Sequence, residues 1–196
     1  MSDGQTPSQT VGPYFAYGLT PEQYGYALSE IASGRLADES TDGELIRIEG
    51  CVYDGEGNTI PDAMLEIWQA DAQGRYRHPA DPRGTNADFS GFGRFGTGTE
   101  AGDIFRFQTV KPGAPGEGEA PHVNVILFMR GLLTHVYTRL YFDDEGERNA
   151  ADPVLAAVPE DRRSTLIARR AETATGIVYR FDIHMQGENE TVFFDL

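Results

Sequence analysis

From Glu44 onward the sequence adopts a period of two, and this alternation constrains the fold more than any other feature. Ile46, Ile48 and Val52 alternate with Arg47, Glu49 and Cys51, which gives an extended chain one apolar and one polar face. Asp54-Gly55-Glu56-Gly57-Asn58 then interrupts the run as a turn. Similar short runs predict strands at 63–69, 104–109, 123–130, 135–142, 178–185 and 191–194. Strands of this length, separated by turn signals and little helix, predict a mostly β chain. The expected architecture is a β-sandwich with short peripheral helices and long loops.

The flanks are read against that core. Thr20-Pro21-Glu22-Gln23 offers an N-cap, a proline at the first helical position and a reciprocal glutamine. Tyr24, Leu28 and Ile31 follow at helical spacing before Gly34, so the pattern predicts a helix over 20–33. Asp152-Pro153 opens a second helical region whose later part, 159–170, carries Leu166 and Ile167 on its apolar side. Between Asp71 and Gly102 lies a long Gly-, Asp- and Arg-bearing excursion, and loops of that length inside a compact domain usually serve a function. The 196 residues suit one domain, 1–196. It divides into an extended N-terminal arm (1–18), a helix and acidic loop (19–43) and the sandwich core (44–196).

A net charge of −15 argues against nucleic acid and anionic membranes as partners, since both present negative charge. It leaves room for a local basic pocket. The one cysteine, Cys51, permits neither an intrachain disulfide nor a cysteine-based zinc site, and its place in a strand suits a small core residue. No stretch approaches the roughly 18 apolar residues of a membrane span, and residues 1–9 lack the pattern of a secretory signal. A cytoplasmic chain is expected.

Few residues carry chemistry. On an extended 122–130 segment, His122, Asn124 and Arg130 share one face. Asn124 is a poor transition-metal ligand, so His122 reads either as a hydrogen-bonded structural histidine or as an isolated ligand. Arg130, before Gly131, offers a planar fork to a carboxylate, or else makes an ordinary surface ion pair. Arg75-Tyr76-Arg77-His78 concentrates positive charge in an acidic chain, as an anion site, a partner contact or a surface loop. The Gly-Pro turn and flanking aromatics of Thr10-Val11-Gly12-Pro13-Tyr14-Phe15 suit packing against another subunit.

Six stretches, in order from end to end, resemble the intradiol aromatic-ring dioxygenases. They are Thr6-Pro7-Ser8-Gln9-Thr10-Val11-Gly12-Pro13-Tyr14, Leu65-Glu66-Ile67-Trp68-Gln69-Ala70-Asp71, Thr109-Val110-Lys111-Pro112-Gly113, Ala120-Pro121-His122-Val123-Asn124, Thr138-Arg139-Leu140-Tyr141-Phe142-Asp143-Asp144 and Tyr179-Arg180-Phe181-Asp182-Ile183. The resemblance implies a β-sandwich in a symmetric α/β hetero-oligomer. It also implies Fe(III) held by two tyrosines and two histidines of the β chain, and O2-dependent opening of a catechol ring between its hydroxyl-bearing carbons.

The departures from the family pattern decide which chain this resembles. No tyrosine lies between Tyr76 and Tyr137, where catalytic chains carry one. Ala114-Pro115 replaces the second family tyrosine, Asn124 the second histidine and Glu119 an arginine. The resemblance therefore implies a chain with no metal ligand set and no catalytic residue of its own. It carries over Thr10, Gly12, Pro13, Tyr14 and Arg130 as substrate-binding residues, Arg130 for a ring carboxylate, with Tyr76 at the cavity edge. The expected partners are the β chain and a small aromatic substrate. The alternatives are a structural scaffold that touches no substrate and a free-standing binding module.

Overall fold

A computed structural model describes residues 4, 7–12, 14–84 and 89–195. Its strands are β1 (Leu45–Gly50), β2 (Val52–Tyr53), β3 (Met64–Gln69), β4 (Phe92–Gly96), β5 (Phe105–Val110), β6 (His122–Phe128), β7 (Val136–Phe142), β8 (Ile167–Thr173), β9 (Gly176–Arg180) and β10 (Ile183–His184). Eight of them follow one hydrogen-bonded order, β4-β3-β6-β7-β8-β9-β1-β5, and β10 pairs with β2. The sheet folds over at β8. This strand pairs in parallel with the end of β7 through Ile167 and Ala168, then antiparallel with β9 through Arg169 to Thr173.

The two halves bury one core. Leu65 and Ile67 of β3, Val123, Val125 and Leu127 of β6 and Phe142 of β7 pack with Ile48 of β1, Phe107 of β5 and Tyr179 of β9. The Phe142 and Tyr179 rings meet edge to face at 4.8 Å. Period-two sequence thus becomes period-two burial. On β6 the odd-numbered residues are buried in the core, while Asn124, Ile126 and Phe128 lie only partly covered on the opposite face.

A strap at residues 33–37 closes the seam between edge strands β4 and β5. Ser33 O accepts the Arg94 amide at 3.1 Å, Gly34 O accepts Gln108 N at 2.8 Å, and Leu36 N returns a bond to Gln108 O at 2.8 Å. A Cβ at Gly34 would lie 2.5 Å from Phe95 Cδ2 and 2.6 Å from Arg106 O, so this crossing requires glycine.

Several expectations are corrected. There is no helix over 20–33. Helix α1 (Phe15–Leu19) precedes Thr20, inside the segment expected to be extended, and Pro21–Tyr24 forms a 3₁₀ turn that ends at Gly25 with φ +77°. The capping side chains are used elsewhere. Thr20 Oγ1 donates to Ala16 O at 3.0 Å, and Gln23 Oε1 accepts the Gly96 amide at 2.8 Å, which fastens the turn to β4. Leu28 and Ile31, the expected apolar face, are 61% and 91% exposed; without a packing partner so short a helix gains too little to form.

The 159–170 helix is likewise replaced, by a 3₁₀ segment (Glu160–Leu166) leading directly into β8. The 71–102 excursion contains β4, and residues 191–194 contribute a single bridge, Tyr137 to Phe194. Asp152-Pro153 does begin a helix, α3 (Pro153–Ala157), after α2 (Gly146–Ala151).

Candidate functional site

The described candidate residues lie around β6, and the fold distributes them between its two ends. Beyond the C-terminal end, the arm lies beside the β6–β7 turn. The Gly131 amide donates to Thr10 Oγ1 at 2.9 Å, and Ser8 Oγ donates to Leu133 O at 2.8 Å. Phe15 N donates to Gly12 O at 3.1 Å, and the Phe15 ring packs 5.7 Å from that of Phe128. Thr10, Gly12 and Arg130 are therefore gathered at one edge. Tyr14, 82% exposed, projects from the same edge, and Pro13 lies outside the described residues. Arg130 is not free. Its Nε pairs with Asp62 just ahead of β3, and both side chains remain open to solvent.

Tyr76 is not part of that edge. It stands at the other end of β6, about 20 Å of strand away at ~3.4 Å per residue. There it stacks on Trp68, rings 5.8 Å apart and 15° from parallel. The pairing of β6 with β7 puts His122 opposite Tyr141 and Asn124 opposite Arg139. His122 Nδ1 sits 2.9 Å from Ala120 O, so it donates there and leaves Nε2 as the acceptor. Nε2 faces the Tyr76 hydroxyl at 3.5 Å. That hydroxyl also accepts from Asn124 Nδ2 at 3.4 Å, while Arg139 Nε donates to Asn124 Oδ1 at 3.2 Å.

Burial, and then the positive charge of Arg139, hold the His122 pKa below its ordinary value. Burial raises Tyr76 against the opposing pull of Asn124 and Arg139, and it pushes Tyr141 up to about 12. At neutral pH the cluster holds a neutral imidazole, two protonated phenols, an amide and a guanidinium.

That donor set does not fit ferric iron. An amide stands where the family has its second histidine, burial raises the pKa of the Tyr76 and Tyr141 phenols that would have to supply the anionic oxygens a hard trivalent ion prefers, and the Arg139 cation would repel it. Among the described residues no group of three or more His, Cys, Asp or Glu gathers elsewhere.

Arg139 and Asp152 escaped the sequence reading. Asp152 is fully buried and accepts from Ala120 N (2.9 Å), Val154 N (2.9 Å), Leu155 N (2.9 Å) and Tyr141 Oη (3.1 Å). Its sequence signal was the cap before Pro153, and nothing local announced the bond to Tyr141. In the Arg75–His78 cluster, Arg75 pairs with Asp71 at 2.8 Å, so part of that charge is already neutralised. Cys51 is buried. No helix among the described residues is long and apolar enough to cross a membrane.

A family model described as "Dioxygenase" matches residues 12–187. The chain is 54% identical to the protocatechuate 3,4-dioxygenase alpha chain of Burkholderia cepacia, over 98% of both chains. It is 34% identical to the beta chain of the same enzyme from that organism, over 76% of this chain and 67% of the other. Among solved structures, the dioxygenase domain of a carbohydrate-binding fusion protein from Streptomyces sp. SirexAA-E superposes with a TM-score of 0.62 at 24% identity, covering 96% of this chain and all of that one. At that identity the likeness speaks for the fold.

Proposed function

The chain belongs to the intradiol dioxygenase family, and from that premise we propose that it is the α subunit, without bound iron, of a heteromeric protocatechuate 3,4-dioxygenase. The observation that carries the reading is the end-to-end likeness to an α chain, against a weaker and shorter likeness to a β chain. The donor set around His122 supports it.

In this reading the β chain holds Fe(III) and supplies activation of the catechol toward O2. The substrate, 3,4-dihydroxybenzoate, opens between its hydroxyl-bearing carbons to 3-carboxy-cis,cis-muconate. The work of this chain is positioning. Thr10, Gly12 and Tyr14 wall one side of the shared pocket, and the exposed Tyr14 ring suits contact with a partner. Arg130 offers its fork to the ring carboxylate. An exposed pair such as Arg130–Asp62 contributes only about 0–1 kcal/mol, so a substrate carboxylate can take over the guanidinium at small cost. Tyr76, far from this edge, belongs to a separate site. The acidic surface and lone cysteine support a cytoplasmic location.

The test is reconstitution. The chain alone should be colourless, iron-poor and inactive, and adding the β chain should produce oxygen uptake with iron counted on the β chain only. Iron bound stoichiometrically by the isolated chain would falsify the assignment. The pairing of Arg130 with Asp62 favours a second reading, a scaffold that contacts no substrate, and variants of Arg130 separate the two.

A further inference from the structure

Arg139 as a residue is half-buried, yet its Nη1 atom is shielded from solvent and has no hydrogen-bond partner. None of the ion pairs among the described residues includes it. Shielded charges are normally paired, because an uncompensated one is costly. The nearby buried carboxylate cannot serve. Asp152 accepts bonds from three backbone amides and from Tyr141, which already occupy its oxygens. Around Arg139 are the Asn124 amide, which accepts from Nε, the Tyr141 phenol, on which Arg139 acts through a hydrogen bond, and the neutral His122 imidazole and Tyr76 phenol, which also feel the charge of Glu119.

Tyr76 also lines an open cavity of about 530 Å³, together with Trp68, His78, Asp81 and Arg83 among others. Two of its lining side chains are aromatic, Trp68 and Tyr76, which stack nearly parallel. Tyr76 links the cavity to the guanidinium through Asn124, which contacts the Tyr76 hydroxyl with Nδ2 at 3.4 Å and accepts from Arg139 Nε with Oδ1; that contact and the one to His122 Nε2 at 3.5 Å are at the outer limit of hydrogen bonding. Little holds that hydroxyl in place. The volume falls within the range of small-molecule sites, which join apolar walls to a few convergent polar groups.

We propose that this chain carries its own binding site for a planar aromatic carboxylate, with the ring against the Trp68–Tyr76 wall and the carboxylate displacing the Tyr76 hydroxyl to reach Nη1 of Arg139. The site needs no metal. It lies at the opposite end of β6 from Arg130 and does not rest on the function proposed above. Glu119, whose negative charge acts on both Tyr76 and His122, opposes an anion there and limits its affinity.

Benzoate, which has no hydroxyls to chelate a partner's metal, is the probe, titrated calorimetrically into the assembled α/β complex. Arg139→Gln should remove one benzoate site per α chain, while Arg130→Ala leaves that site intact. Glu119→Gln should tighten the same site severalfold, and acetate, lacking a ring to stack, should bind about tenfold or more weakly than benzoate. Trp68 is the chain's only tryptophan, so its fluorescence should change with occupancy, and Trp68→Phe should abolish that change. An unchanged site count in Arg139→Gln overturns the proposal. If that variant does not fold, a Glu119→Gln complex binding benzoate no more tightly than the unsubstituted one overturns it equally. Loss of the site in Arg130→Ala instead would mean that the anion binds at the arm.

Discussion

Thr10 and Gly131, 121 positions apart, are joined by a hydrogen bond from the Gly131 amide to Thr10 Oγ1 at 2.9 Å. That bond sets the arm beside the turn that carries Arg130, with Ser8 and Leu133 making a second tie. The proposed pocket wall and the proposed carboxylate contact are thus mechanically linked, and disturbing one should disturb the other.

Thr10→Val keeps the shape and removes the acceptor. A bond of this kind contributes about 1 kcal/mol, so KM for 3,4-dihydroxybenzoate in the assembled enzyme should rise about fivefold. Thr10→Ser should restore it. Oxygen-uptake kinetics read this directly, and a KM that is equally raised in the serine variant would show that the hydroxyl is not what matters.

Arg130→Ala separates a pocket subunit from a scaffold. A charge-assisted contact to the ring carboxylate is worth roughly 1.5–3 kcal/mol, so KM should rise about ten- to a hundredfold. Asp62→Asn frees the guanidinium from its present partner and should lower KM by no more than a few fold, since the exposed pair it breaks is weak. Kinetics unchanged in Arg130→Ala would favour the scaffold.

What the sequence disclosed and what it concealed divide along physical lines. β1, β3, β5, β6 and β7 were legible because each needs an apolar face for the common core. β4, Phe-Gly-Arg-Phe-Gly, was not. Its glycines make room for the strap, where Leu36 would meet a Cβ at Gly93, and its Phe95 packs on Phe107 of β5. β8 was hidden for a different reason: it is held by pairing with both β7 and β9, and most of its side chains face solvent. The false helix after Thr20 arose from capping residues whose hydrogen bonds go to Ala16 and Gly96. At the candidate sites, Arg130 was legible but its partner Asp62, 68 positions away, was not. Arg139 was invisible because its setting depends on the register Asn124↔Arg139, which no single strand encodes.

Asp152 should be among the costliest positions to change. Asp152→Ala removes the α3 cap, worth about 0.5–2 kcal/mol. It also leaves the Ala120 amide and the Tyr141 hydroxyl without their partner, at about 1–3 kcal/mol for a buried group. A total loss of about 3 kcal/mol or more in urea unfolding is expected. Asp152→Asn, which keeps one acceptor oxygen, should lose less. A loss below about 1 kcal/mol in the alanine variant would mean that water or a shifted loop satisfies those donors.

Stability should fall steeply in alkali through two tyrosines. Burial pushes Tyr141 up to about 12, and burial together with the hydrogen bond to Asp144 at 2.9 Å does the same for Tyr179, whereas an unfolded tyrosine titrates near 10. The folded state holds both protons more tightly, so the stability they contribute is fully present below about pH 10 and lost as pH rises toward 12, at about 2 kcal/mol for each. Lys111 adds a loss of the same sign. Burial alone would lower it, but Asp144 at 2.7 Å and Glu145 at 2.8 Å hold it above the ordinary lysine range. Tyr141→Phe separates the contributions. It gives up the bond to Asp152, about 1 kcal/mol at neutral pH, but removes a phenol whose ionisation favours the unfolded chain. The variant should therefore start lower than the unsubstituted protein and decline less between about pH 10 and 12. Urea midpoints across that range measure both slopes, and parallel curves would show that the Tyr141 proton is not held more tightly in the folded state.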